Sequence, residues 1–96
     1  MDLETQKQTN IDVFEDEDVA IGLLSRVVLF NDDWHTFDEV ISQLMKAVGC
    51  TYEKARTYSF EVHIKGKCVV YNGEIKECLK VSSVLEEIAL STQILT

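Results

Sequence analysis

The chain has 96 residues, of which 46% are hydrophobic and 27% charged, with a net charge of −8. That suffices for one small domain with a modest core. It excludes a nucleic-acid binder, which needs a basic stripe to neutralise phosphates, and a membrane-spanning chain, since no apolar run approaches the required length.

The charge is uneven. Residues 1–18 hold seven acids against Lys7, while the remaining 78 residues carry only −2. Acid-rich and without apolar periodicity, this stretch is expected to be a disordered extension preceding a folded domain over 19–96. It begins MDLETQKQ, with neither the basic nor the apolar region of a secretory signal, so a cytoplasmic protein is expected.

Val19 to Leu24 reads as an extended lead-in. Arg26 to Phe30 is a run of strand formers, and its continuous apolar character predicts a central strand or one buried on both faces. Asn31-Asp32-Asp33 stops it. Thr36 and Glu39 then form a capping box for a helix. Phe37, Val40, Ile41, Leu44, Met45 and Val48 fall at helical spacing on one inward face, and Gly49 ends the helix.

A second helix is predicted from Thr51 to about His63, turning Tyr52, Ala55, Tyr58 or Ser59, and Val62 inward, with Gly66 as its stop. Lys67 to Tyr71 reads as the second strand. Asn72-Gly73 breaks it, and Asn72 suits the N-cap of a third helix over about 73–89, with Val81, Val84, Leu85 and Ile88 inward. Ser91 to Thr96 reads as a short last strand. The order β-α-α-β-α-β suggests an α+β domain, with one sheet covered on one face by helices. Cys50, Cys68 and Cys78 are odd in number and contain no CxxC pair, which reads as three reduced thiols and no metal framework.

Two groups of residues could carry chemistry. Asn31-Asp32-Asp33 sits where a strand meets a helix, and His63 stands at a helix end just ahead of the next strand. Taken singly, the first reads equally well as a polar turn and the second as a solvated histidine. Together they resemble the ClpS family of N-degron adaptors. The residues that carry the resemblance are Val27-Val28-Leu29-Phe30-Asn31-Asp32-Asp33-Trp34, the helix positions Phe37, Val40 and Ile41, and Val62-His63-Ile64-Lys65-Gly66-Lys67. It weakens through Val70-Tyr71, Glu74 and Lys80-Val81, and covers about residues 26–90.

The resemblance implies an α/β sandwich, its three-stranded antiparallel sheet covered on one face by three helices. It also implies an adaptor that binds the free amino terminus of proteins beginning with a bulky hydrophobic residue and delivers them to a ClpA- or ClpC-like AAA+ unfoldase and its protease, without a cofactor. By position, Asn31, Asp32, Asp33 and His63 match the group around the substrate's α-amino nitrogen. Phe37, Val40, Ser59 and Val62 match the pocket for its first side chain, and Glu74 and Lys80 match the unfoldase contact. The chemistry fits, because a protonated amine seeks carboxylate, amide or imidazole acceptors, and its charge makes those bonds the stronger kind.

The chain departs from the family pattern at Thr36, where proline is usual, at Phe37, where methionine is usual, and at Ser59, which replaces a larger apolar residue. One extra residue separates Glu74 from Lys80-Val81, and the C-terminus is shorter than the family's. Two other readings compete. One is a diverged ClpS-like interaction module that does not bind N-degrons. The other is a small enzyme using Asp32, Asp33, His35 and His63 as a metal or acid–base site, for which the sequence offers no nucleophile motif, HExxH or glycine-rich loop.

Overall fold

The computed structural model describes residues 24–96; the expectations for residues 1–18 and most of the 19–24 lead-in lie outside this range. The elements follow the expected order: β1 (Ser25–Phe30), α1 (Phe37–Val48), α2 (Tyr52–Lys65), β2 (Lys67–Gly73), α3 (Ile75–Glu86) and β3 (Thr92–Leu95). The sheet has strand order β2-β1-β3, and both pairings are antiparallel. Three helices and a three-stranded antiparallel sheet make this an α+β fold of the architecture the resemblance implied.

The central place of β1 accounts for its unbroken apolar run. Val27 and Leu29 are fully buried on the helix side, within one core. Val28 points the other way and is buried too, opposite Val69 and Gln93 of the flanking strands. The ladder between β1 and β2 skips Val70, which stands unpaired between the partners of Val27 and Val28. This bulge lets β2 present both Val70 and its neighbour Tyr71 to the core.

The capping box on α1 is formed: Glu39 N–H donates to Thr36 Oγ1, and Thr36 N–H donates to Glu39 Oε1. Gly49 and Gly66 end α1 and α2 in the left-handed conformation, with φ of 76° and 87°. Two inward assignments fail. Phe37 and Met45 are exposed, while Gln43, which the apolar pattern skipped, is buried and donates to the Val84 carbonyl and to Glu87. On α2 the inner face is Ala55, Ser59 and Val62, with Tyr58 half-buried and Tyr52 exposed.

The largest correction concerns the start of α3. Asn72 does not cap it. Asn72 pairs with Arg26 inside β2, which runs on to Gly73, and Glu74 takes the N-cap with no side-chain hydrogen bond. The pull of a paired ladder outweighs the turn preference of an Asn-Gly step. The helix also ends early, at Glu86, and Ala89 stands in the left-handed region at φ 64°. That reversal drops Leu90 into the core, and Ser91 accepts a hydrogen bond from Phe30 N–H at 3.0 Å as β3 begins. Cys78 of α3, missed from the inner face, is fully buried.

Candidate functional site

The segment Asn31–Thr36 leaves the centre of the sheet and is anchored at each end of its path. Asn31 N–H donates to the carbonyl of Gly66, the C-cap of α2, at 2.9 Å. That bond draws the polar run after β1 against Val62 and His63, so two motifs about thirty positions apart in sequence become neighbours.

Asp32 folds the segment. Its Oδ1 accepts from the backbone N–H of Trp34 at 3.1 Å and of His35 at 2.9 Å, an Asx turn. Its Oδ2 lies 2.6 Å from His35 Nδ1, while His35 Nε2 lies 2.6 Å from the carbonyl of Ile88, just beyond α3. A carbonyl only accepts, so Nε2 carries a proton there. Facing an ionised carboxylate, Nδ1 carries one too, and the ring is an imidazolium. The His35 side chain is 5% exposed, and the indole of Trp34 lies against it at 4.2 Å between ring centroids.

The titration shifts agree with this reading. Burial pushes the Asp32 carboxyl up, but the hydrogen bonds from His35 and Trp34 outweigh it and hold the group below its ordinary value. Burial pushes the His35 imidazole down, but the bonds to Asp32 and the Ile88 carbonyl, with the charges of Asp32 and Glu39, raise it above its ordinary value. Sequence reasoning had weighed His35 only for an enzyme. A histidine three residues after an aspartate at a strand end was the available signal.

Beside this segment lies a cavity of about 460 Å³. All eight residues singled out for substrate binding line it, Asn31, Asp32, Asp33, His63, Phe37, Val40, Ser59 and Val62, together with His35 and Thr36. Phe37 and Val40 come from the first turn of α1, and Ser59 and Val62 from the last turns of α2. Phe37 is 40% exposed. Its ring packs 5.0 Å from Phe60 and meets His63 edge-on at 5.3 Å, so the cavity mouth and the histidine share a contact. Arg56 lies over the far ring, 4.8 Å from the Phe60 centroid. Glu74, the N-cap of α3, and Lys80 within that helix are exposed and are not among the residues that line this cavity.

A lining that combines carboxylate, amide and imidazole acceptors with apolar side chains suits a ligand that is cationic at one end and apolar at the other. Among the described residues no three His, Cys, Asp or Glu side chains gather closely enough to hold a metal ion, and Asp32 and His35 are engaged with each other. None of the helices described is long and apolar enough to cross a membrane.

Residues 24–93 match the family model of the ATP-dependent Clp protease adaptor protein ClpS. The chain belongs to the ClpS family. That family consists of adaptors rather than enzymes. Among curated relatives, the ClpS adapter protein of Nitratidesulfovibrio vulgaris is 35% identical over 68 residues, which is 69% of this chain and 65% of that protein. The ClpS of Hydrogenovibrio crunogenus is 41% identical over 54 residues, 54% of this chain and 52% of its own length. A stretch of 58 residues, 60% of this chain, is 38% identical to the human E3 ubiquitin-protein ligase UBR2, of which it spans only 3%. The chain thus spans less than two thirds of each of these relatives. In fold it is similar to Agrobacterium tumefaciens ClpS2 bound to L-phenylalaninamide, with a TM-score of 0.65, 22% identity and coverage of 74% of this chain and 93% of that one.

Proposed function

We propose that this ClpS-family chain binds the free amino terminus of proteins that begin with a bulky hydrophobic residue and delivers them to a Clp-type AAA+ unfoldase. The observation that supports the reading is that Asn31, Asp32, Asp33 and His63 line the same cavity as Phe37, Val40, Ser59 and Val62. The ligand named for the ClpS2 structure, L-phenylalaninamide, has an aromatic side chain and a free α-amino group, which is the chemistry this cavity suits.

In this reading the ammonium group sits among the acceptors. Asp32 has three of its roughly four acceptor positions committed to Trp34 and His35, which leaves one for the ligand. His63 accepts a hydrogen bond through a ring nitrogen, Asn31 offers its amide oxygen, and Asp33 adds a carboxylate. An internal peptide N–H lacks the charge and the extra donors, so the site selects termini. The first side chain enters between α1 and α2, where burial contributes roughly 1.5–3 kcal/mol.

Delivery is assigned to other surfaces. Glu74 and Lys80 lie toward the start of α3, whose twelve residues run about 18 Å, while the end of that helix abuts the amine site through Ile88. An unfoldase contact there leaves the cavity open. The acidic residues 1–18 are the segment the unfoldase engages, so removing them should spare peptide binding and impair degradation.

The test is a titration of the full chain with peptides differing in their first residue, free and N-acetylated. Phe- and Leu-initiated peptides should bind, Gly-initiated ones should not, and acetylation should abolish binding. His63→Ala should weaken the Phe peptide about ten-fold or more with the fold intact, the loss of one charge-assisted bond. An acetylated Phe peptide that bound as tightly as the free one would leave only the ClpS fold and an interaction module without amine recognition.

A further inference from the structure

Ser59 is the most buried polar residue of the cavity lining, at 2% exposure, and Val62, Val40 and Phe37 line the cavity with it. Its Oγ donates to the carbonyl of Ala55, one helical turn back, at 2.9 Å. The single hydroxyl hydrogen is committed, and the oxygen retains acceptor capacity only. Among the described residues no donor is directed at it.

That leaves an acceptor on a buried residue of the cavity lining, where Phe37, Val40 and Val62 are the apolar members. When an aliphatic or phenyl side chain fills the cavity, water is displaced and the acceptor stays without a partner, which costs free energy. A side chain with a hydrogen-bond donor at its far end supplies the partner instead. We propose that Ser59 is a specificity-determining residue that tunes this cavity toward first residues whose aromatic ring ends in a donor, the phenol of tyrosine above all. The inference rests on the amino-terminal reading of the cavity and refines it. In an aromatic first residue held by its α-amino group, a phenol oxygen lies on the ring axis at the far end from the α-carbon, whereas an indole N–H lies to its side. The hydroxyl cannot donate to the ligand without giving up Ala55, so the site distinguishes donors from acceptors as well as polar groups from apolar ones.

The experiment is a two-by-two titration of the full chain. Peptides identical but for tyrosine or phenylalanine in first place are bound to the unaltered protein and to Ser59→Ala. The ratio of tyrosine to phenylalanine affinity should fall about five-fold in the variant, the equivalent of one ordinary hydrogen bond. A cooperative thermal unfolding transition, measured on both proteins, reports that the variant is folded. Tight binding of both peptides with the same ratio in both proteins would overturn the role of Ser59 and leave the amino-terminal reading standing. Failure of both peptides to bind the unaltered protein would overturn the two together.

Discussion

The imidazolium of His35, bonded to Asp32 on one side and to the Ile88 carbonyl on the other, ties the segment after β1 to the end of α3. Its pH dependence follows from the direction of the two shifts. The His35 pKa is raised in the fold, so its contribution to stability is fully present below the ordinary value of 6.5 and is lost as pH rises through the higher folded value. The Asp32 pKa is lowered, so its contribution is present above the ordinary value of 3.8 and is lost as pH falls through the lower folded value. The pair is therefore complete between these limits. His35→Ala should destabilise the protein more at pH 5 than at pH 9, as read from denaturant midpoints. A difference independent of pH over that range would mean that folding leaves the proton affinity of the ring unchanged. The substitution should also weaken amine binding, because Asp32 loses the partner that fixes its rotamer. Of these features the acidic run, His63 and the four wall positions are what the resemblance to the ClpS family implies, carried by the motifs after β1 and at the end of α2. The sequence did not display the part played by His35, because the Ile88 carbonyl stands fifty-three positions away and a backbone acceptor has no residue signature.

Element ends carry the two outcomes on which local reasoning is most sharply tested. Gly66 was legible as a stop, and it does more than stop α2. Its left-handed φ of 87° turns the chain so that its carbonyl meets Asn31 N–H. Gly66→Ala should cost about 1 kcal/mol in stability and, by shifting the carbonyl, should weaken peptide binding as well. Gly49→Ala, in the same conformation at φ 76° but remote from the cavity, should cost a similar amount and spare binding. Equal effects of the two on affinity would deny the Gly66–Asn31 bond its positioning role. The end of α3 runs the other way. Ala89 holds φ 64° with no glycine to ease it, so Ala89→Gly should raise stability by up to about 1 kcal/mol in thermal or denaturant unfolding. The apolar pattern continued through Ile88, which is why the helix read as longer than it is. The reversal that buries Leu90 and brings Ser91 to Phe30 N–H is a tertiary demand, and nothing in the local sequence encodes it. The same holds for Asn72, whose turn preference yields to its pairing with Arg26.

At the scale of the whole molecule, one small core supports a cavity built from the exposed margins of the elements that form it. Helix α1 buries Leu44 and Ile41 while its first turn holds Phe37 at the cavity mouth. Stability and binding should therefore separate along a single helix. Leu44→Ala removes a fully buried side chain and should cost about 2–5 kcal/mol, whereas Phe37→Ala should weaken peptide binding with a much smaller effect on unfolding. The three cysteines give a way to read the difference. Cys68 and Cys78 are buried, and burial, with the charge of Glu61 nearby, pushes the Cys68 thiol up to about 11. Since the thiolate is the reacting form, a thiol reagent at neutral pH should modify half-buried Cys50 first. Cys68 and Cys78 should react only when the core opens. Should that opening be global, Leu44→Ala will speed modification of both by roughly 30- to 4,000-fold, the range its free-energy cost implies at 1.4 kcal/mol per decade, and Phe37→Ala will leave both rates close to those of the unaltered protein. If Cys68 were instead modified as fast as Cys50 in the native protein, β2 would be opening on its own. The core and the cavity would then not share one cooperative unit, and the tie from Gly66 at the head of β2 to Asn31 would be too weak to hold the proposed amine site together.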